Sequence, residues 1–203
     1  MKSKSSTIRL LYAASESSAD LLYLAGVFVP DPFLVIIAQK KSYAVVSQLE
    51  FGRVAKQSKF DEVMLLETIR QKAADNLQIS LAEVGPGELM VYFAQRFAVK
   101  KIEVPADFPA LYYARLFEAG YRIEVVEGAF FPKRGKKTDA EARAIRQGNA
   151  ASAAGIRAAE AVLRAATIDG NRILHEGKTL TSERLRSIID QACLEKGATA
   201  IHT

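Results

Sequence analysis

The sequence has few of the residue types on which catalytic and metal sites depend. Its 203 residues include one cysteine, two histidines and no tryptophan. The single cysteine, Cys193, excludes an internal disulfide and fits a reducing compartment, so we expect a cytoplasmic protein. Neither His175 nor His202 belongs to a His-Glu-x-x-His helix, and there are no cysteine pairs for zinc. The Gly-x-Ser-x-Gly elbow of serine hydrolases is also missing, so the residues alone point to no catalytic constellation.

Long apolar runs are a second absence. No stretch approaches the 18 or so apolar residues that a transmembrane helix needs, so we expect no membrane partner. The first residues, "MKSKSSTIRLLYAASESSAD", lack an apolar segment long enough for a signal peptide. With 49% hydrophobic and 25% charged residues, the composition is that of a globular protein. A chain of this length can bury roughly 70% of its unfolded surface, enough for one domain with an appendage.

The excess of positive over negative charge lies entirely in the second part of the chain. Residues 1–131 hold fifteen basic and fifteen acidic residues, whereas residues 132–203 hold 13 basic and 8 acidic ones. A cluster in "PKRGKK", residues 132–137, supplies four of these positive charges: Lys133, Arg134, Lys136 and Lys137. Because no aromatic residues alternate with them, a solvated linker is favoured over a nucleic-acid surface, and we expect no nucleic-acid partner.

Residues 1–131 alternate between strand-like and helix-like segments. The apolar, β-branched runs are residues 7–14, 33–39, 43–47 and 62–67, then "KIEVP" and, as the last strand, "YRIEVVEG". Helices are predicted over residues 19–26, over "LEFGRVAKQ", after residue 67 through about Ala82, from near Pro86, and over "FPALYYARLFEAG". The alternation predicts a three-layer α/β domain. A hairpin turning at "KKS" adds antiparallel pairing, so the sheet should be mixed.

Two helices are predicted after Pro132. A capping box of Thr138 and Glu141 begins the first, which extends over residues 138–166. Its strip of small residues, Gly148, Ser152 and Gly155, lowers helix propensity and makes sense where another backbone approaches closely. The second helix covers residues 181–196, between a Thr181 or Ser182 cap and Gly197. Cys193 lies on its apolar face and is therefore predicted to be a packing residue rather than a nucleophile.

Three stretches, in the right order, resemble one family. "LLYLAGVFVPDPFLVIIAQKKSYAVVSQLEFGRV" is similar to the early part of Xaa-Pro aminopeptidases and prolidases, with Tyr23-Leu24-Ala25-Gly26 where those enzymes have Tyr-Leu-Thr-Gly. "KKTDAEARAIRQGNAASAAGIRAA" resembles the entry to their catalytic "pita-bread" domain. "GKTLTSERLRSIIDQACLEKGATA" matches the helix that follows it. The resemblance covers nearly the whole chain.

The resemblance implies a fold and an activity. Residues 1–131 should form a creatinase-type amino-terminal domain with ribonuclease H-like topology, residues 132–137 a basic linker, and residues 138–203 the first helices of an incomplete catalytic domain. The family removes an amino-terminal residue that precedes proline. It uses two divalent cations, often manganese or cobalt, whose five ligands lie after the two helices, so this chain should hold neither cofactor nor catalytic residue. His202 is not equated with the metal-binding histidine of the family. Tyr23, Phe28 and Asp31 are assigned to the rim of the substrate site.

Three hypotheses remain at this point. The chain is the front part of a metallopeptidase that acts on peptides with proline at the second position. Alternatively, it is a free-standing, non-catalytic module for binding or oligomerisation. A basic nucleic-acid-binding protein is the third, and the neutral residues 1–131 argue against it. Under either of the first two we expect a homo-oligomer, because both helices have apolar faces that need a partner.

Overall fold

The structure, a computed structural model, describes residues 7–199 and divides into two compact units. The first unit is Met1–Arg134 and the second is Gly135–Thr203. The division falls inside the segment 132–137 that the sequence indicates as a linker.

A six-stranded sheet forms the centre of the first unit. Its strands are β1 (Thr7–Ala13), β2 (Phe33–Ala38), β3 (Lys41–Val46), β4 (Glu62–Leu65), β5 (Lys101–Pro105) and β6 (Arg122–Val126). They lie in the order β4-β3-β2-β1-β5-β6. Strand β2 is antiparallel to both of its neighbours, and the other neighbouring pairs are parallel. The mixed sheet predicted from the early hairpin is confirmed.

Helices cover both faces of this sheet. They are α1 (Ala19–Ala25), α2 (Gln48–Gln57), α3 (Leu66–Leu77), α4 (Pro86–Arg96) and α5 (Ala110–Glu118). Alternate strand residues enter opposite cores: Leu10 packs with α3, α4 and α5, whereas Leu11 packs with α1 and α2. Both side chains are fully buried. The period-two pattern of the strands therefore yields the predicted three-layer domain.

Two boundaries in the first unit differ from the sequence prediction. The hairpin turns at Gln39 and Lys40, both with positive φ, rather than at "KKS", so β3 begins two residues early. This two-residue loop has the left-handed backbone of a type I′ turn although it contains no glycine. The helix predicted to reach Ala82 ends at Leu77, where Gln78 takes a left-handed conformation. Ser80 and Glu83 then form a capping box around a separate short turn.

The second unit contains two helices and a small sheet. Helix α6 (Asp139–Ala165) and helix α7 (Ser182–Leu194) flank the strands β7 (Thr167–Asp169), β8 (Arg172–His175) and β9 (Lys178–Thr179). The sequence analysis predicted only two helices after Pro132 and missed these three strands. These strands have two to four residues and are mostly exposed, so they lack the apolar runs that mark a buried strand. Two-residue turns at Gly170–Asn171 and Glu176–Gly177 connect them.

Helix α6 packs closely against α7 at a glycine. The Thr138–Glu141 capping box is present, and Thr181 caps α7. A Cβ atom on Gly155 would lie 2.9 Å from the sulfur of Cys193 and 3.0 Å from Cγ2 of Ile189. Gly155 is thus the point of close approach, and its partner is a helix of the same unit. Cys193 is a buried packing residue, as predicted.

Candidate functional site

A cavity opens at the carboxyl ends of β1 and β3 in the first unit. Its volume is about 330 Å³, within the range of small-ligand pockets. The carboxyl ends of parallel strands are where α/β sheets place their binding sites. The apolar part of the wall is formed by Val29, Phe33, Leu34, Val45, Val46, Leu66, Val84 and Leu89. Five polar side chains also line the cavity: Tyr12, Asp31, Ser47, Glu50 and Arg70.

Two of the polar side chains of this cavity, Arg70 and Glu50, are fixed by bonds to the protein. Arg70 donates from Nε to the Val84 carbonyl oxygen at 3.1 Å and from Nη2 to the Leu81 carbonyl oxygen at 2.9 Å. Glu50 accepts a hydrogen bond from Arg53 on the same helix. These bonds hold this part of the wall in place.

The loop between α1 and β2 forms the rim of the cavity and is held by a buried serine. Ser15 Oγ donates to the Val27 carbonyl oxygen at 2.7 Å and accepts from the Val29 N–H at 2.6 Å. The Ser15 N–H also donates to the Val29 carbonyl oxygen at 3.1 Å. With Val27 and Val29 buried, the intervening Phe28 points outward and is 59% exposed. Because Val27 and Val29 are buried and bonded to Ser15, this rigid loop exposes the large apolar side chain of Phe28 to solvent.

The three rim residues assigned from sequence occupy different surroundings. Asp31 is exposed and lines the cavity. Phe28 lies on the same loop and is not part of the cavity wall. Tyr23 lies on α1, where its ring packs against Phe131 with the centroids 5.9 Å apart. The structure therefore places Phe28 and Asp31 on one loop and Tyr23 on the helix before it.

A carboxylate near Tyr23 fixes the end of the first unit. Asp20 accepts hydrogen bonds from the N–H groups of Phe130, at 3.2 Å, and Phe131, at 2.9 Å. It also accepts one from Arg134 Nε at 2.8 Å. The prediction that the whole basic cluster faces water is therefore wrong for Arg134, which is held by Asp20.

Arg9, on strand β1, contacts Phe130 and Phe131 from the side of the sheet. Its guanidinium carbon lies 3.8 Å from the centre of the Phe130 ring and 4.9 Å from that of Phe131, and it donates to the Phe130 carbonyl oxygen. Phe130 is 1% exposed. Stacked and hydrogen-bonded in this way, the residues that follow β6 form part of the first unit's core.

Tyr12, in the cavity wall, should make stability fall at high pH. Burial raises its pKa to about 12, and neighbouring Tyr112 adds to the effect. Between pH 10 and 12 the unfolded chain loses the phenol proton while the folded chain keeps it, so the free energy of unfolding decreases as pH rises. We expect Tyr12→Phe to flatten this slope in denaturant titrations across that range. Identical slopes for the two proteins would contradict the assignment.

The described residues do not fit a two-metal site. Among residues 7–199, no three histidine, cysteine, aspartate or glutamate side chains come together as a ligand set. The partly buried carboxylates already have other partners: Asp20 holds residues 130–134, and Glu103 pairs with Arg9 and Lys101. His202, the histidine nearest to the expected catalytic sheet, lies outside the described residues. In this part of the chain no helix has both the length and the apolarity needed to cross a membrane.

A second concavity lies in the other unit, along α6 and α7. This groove has a volume of about 880 Å³. Ile156 and Leu163 line it and are 68% and 50% exposed. Glu160 and Arg164 also line it and bond to each other. The groove is an apolar strip with no catalytic side-chain pair among its lining residues.

Sequence reasoning missed the cavity and the serine that holds its rim. Tyr12, Ser47 and Arg70 belong to elements that are distant along the chain, and no motif joins them. One signal was present. Tyr12 lies near the end of the first predicted strand and Ser47 ends the third, and the carboxyl ends of strands that run in the same direction meet at one edge of a sheet.

Comparisons with known proteins establish the fold. No protein-family profile matches the chain, and no curated protein matches it. Solved structures do match. They include an X-Pro aminopeptidase from Thermotoga maritima (11% identity, TM-score 0.66), a prolidase from Pyrococcus furiosus (10%, 0.62) and an Xaa-Pro dipeptidase from Bacillus anthracis (14%, 0.64).

The matches cover nearly all of this chain but only part of each known structure. They extend over 94%, 93% and 97% of the chain and over 47%, 48% and 46% of the three known structures. The chain therefore spans about half the length of the structures it matches. Its fold is that of this portion of Xaa-Pro aminopeptidases and prolidases, and the predicted fold class is confirmed.

Proposed function

We propose that the chain is the amino-terminal part of a metal-dependent hydrolase of the Xaa-Pro aminopeptidase and prolidase type. The observation that carries this proposal is the likeness of fold over 94% of the chain to an X-Pro aminopeptidase. The three sequence stretches with family resemblance agree with it. The chain itself supplies no metal ligands in this proposal. Two divalent cations, manganese or cobalt, would be held by residues outside it.

The first unit is proposed to shape access to the substrate. Its rim loop is rigid because Ser15 holds both Val27 and Val29. Phe28 offers an exposed apolar surface, and Asp31 offers a carboxylate that attracts a cationic group such as a peptide amino terminus. With Tyr23, these residues form the proposed rim for a peptide with proline at the second position.

The groove of the second unit is proposed to be covered in the complete protein. Fully burying an isoleucine or leucine side chain contributes about 1.5–3 kcal/mol, so exposed Ile156 and Leu163 favour a covering segment, which the catalytic domain of the complete protein would supply. In this proposal the protein is a homo-oligomer of the cytoplasm. The alternative role, a free-standing module for binding or oligomerisation, uses the same surfaces without catalysis.

Activity measurements separate the two roles. With manganese or cobalt and an Xaa-Pro peptide, the chain alone should show no turnover above background. If the gene continues in frame with two Asp, one His and two Glu as ligands, the extended protein should hydrolyse the peptide with metal dependence. Metal-dependent turnover by residues 1–203 would contradict the proposal, and an inactive extended protein would favour the module.

Kinetics of the extended protein test the rim. We expect Phe28→Ala to raise KM severalfold, since an exposed aromatic side chain at a binding surface contributes affinity. Leu49→Ala is the matched control because Leu49 is also exposed, at 81%, but lies on α2 outside the rim loop. Equal effects of the two substitutions would exclude a special role for Phe28.

A further inference from the structure

Strand β6 forms one edge of the six-stranded sheet. An open strand edge carries unpaired N–H and C=O groups, which makes it a template for pairing with another strand. Natural edge strands are usually protected by proline, by bulges or by lysine side chains that point inward. The sequence of β6, "RIEVV", contains no proline, and its five residues pair with β5 in continuous register.

The backbone direction along β6 identifies the groups that point outward. The Arg122 N–H donates to the Lys100 carbonyl oxygen, toward β5, at 3.0 Å. Because hydrogen-bonding directions alternate along a strand, the N–H and C=O groups of Ile123 and Val125 point away from the sheet. Two residues of β6 are thus set to bond a further strand.

Apolar side chains are exposed on β6 and on the preceding helix, α5. Arg115 of α5 forms an ion pair with Glu88 of α4, so this side of α5 faces α4. Tyr113 and Phe117, four residues apart on α5, lie on the opposite side. Phe117 is 67% exposed, and Val125, on the face of β6 that α5 covers, is 46% exposed. Tyr113, Phe117 and Val125 form what we term the edge patch.

Glu124 of β6 is paired with Lys101 of β5 at 2.8 Å and its side chain remains 49% exposed. The charges of β6 are self-complementary in one register. With Ile123 opposite Ile123 in an antiparallel pair of two copies, Arg122 of each copy faces Glu124 of the other. Directly opposite charges on one face of a sheet stabilise the pair, whereas like charges destabilise it. In the register that is centred on Glu124, two glutamates would face each other. Of these two registers, the charges favour the first.

We propose that β6 pairs antiparallel with β6 of a second copy of this chain, which joins two six-stranded sheets across a two-fold axis. The outward N–H and C=O groups of Ile123 bond to their equivalents, as a hydrogen-bonded antiparallel pair requires. Val125 of each copy lies opposite Tyr121 of the other, next to the edge patches on the α5 side. Two Arg122–Glu124 pairs form on the other face. This interface does not depend on the proposed peptidase function.

Substitutions on α5 test the edge patch. Sedimentation equilibrium of the full chain at micromolar concentration should show a dimer. Phe117→Glu should raise the dissociation constant by about tenfold or more, because burial of a phenylalanine contributes roughly 1.5–3 kcal/mol. Leu111→Glu is the matched control: Leu111 is 69% exposed on the same helix but lines the side that faces α4. Equal weakening by both variants would overturn the proposal.

Charge variants test the register. Arg122→Glu alone places glutamate opposite glutamate, and Glu124→Lys alone places lysine opposite arginine, so each variant should be monomeric. In a mixture of the two variants both facing pairs become opposite charges, so a heterodimer should form. Circular dichroism of each variant establishes that it is folded. Single variants that remain dimeric, or a mixture that stays monomeric, would overturn this register.

The groove of the second unit is a competing surface, and one variant separates the two. Ile156→Glu alters the groove and leaves β6 unchanged, so the dimer should persist with an unchanged dissociation constant. Loss of the dimer in Ile156→Glu but not in Phe117→Glu would place the interface at α6 and α7 and overturn the proposal. A monomeric parent chain at high micromolar concentration would do so as well.

Discussion

Gly155→Leu is expected to destabilise the packing of α6 on α7 by about 2–3 kcal/mol, since overfilling a packed interface typically costs this much. A side chain at this position meets Cys193 and Ile189 at or below 3.0 Å from its first carbon atom. The helices must separate to admit it. Labelling of the Cys193 thiol should therefore become faster, by roughly 30-fold or more at this energy.

A second glycine of α6 provides the control. Among residues 7–199, no atom outside the adjacent backbone of α6 lies within 4 Å of a Cβ placed on Gly148. Gly148→Leu therefore gains helix propensity, worth up to about 1 kcal/mol, without a clash. Thiol labelling should be unchanged or slower. Faster labelling in both variants would mean that leucine disturbs α6 generally, and the close approach at Gly155 would not be the cause.

Asp20→Ala is expected to release the last residues of the first unit and to reduce its stability by about 2–3 kcal/mol. The substitution removes the acceptor for the Phe130 and Phe131 N–H groups and for the Arg134 guanidinium. A buried donor left without a partner costs more than the bond itself contributed. Hydrogen exchange at residues 130–134 should accelerate, and trypsin should cut after Arg134 sooner than in the parent chain.

Glu16→Ala is the matched control for this prediction. Glu16 is an exposed carboxylate four residues before Asp20. Its removal changes the net charge by the same amount but leaves the cluster around Phe130 intact. Cleavage after Arg134 at the parent rate in both variants would show that Asp20 does not hold this segment.

Local signals were sufficient to predict much of the fold. The strand β1 and the helix α1 with its Gly26 end follow from short-range pattern and capping, and both are confirmed. The capping box of Thr138 and Glu141 likewise requires only residues three apart. Where structure is decided by neighbours in sequence, sequence reasoning succeeds.

Other features depend on contacts that sequence spacing does not encode. Asp20 and Arg134 are 114 residues apart, and Ser15 acts through the backbone of a loop that begins twelve residues later. The cavity lining likewise comes from several separate elements. The small sheet of the second unit was missed for a different reason. Its Gly170-Asn171 turn is a hairpin signal, but the strands on either side are too short and too exposed to show a strand pattern.

The position of β1 at the centre of the sheet determines when the first unit can be completed during synthesis. Strand β1 pairs with β2 soon after both are made, but its other neighbour, β5, begins only at Lys101. Asp20 acquires its partners later still, at Phe130 and beyond. Such long-range pairing slows folding, because a large loop must close before the contact stabilises it. The nascent chain therefore exposes one side of its central strand until β5 emerges. In the second unit only the small sheet separates α6 from α7 along the chain, so the corresponding delay is shorter.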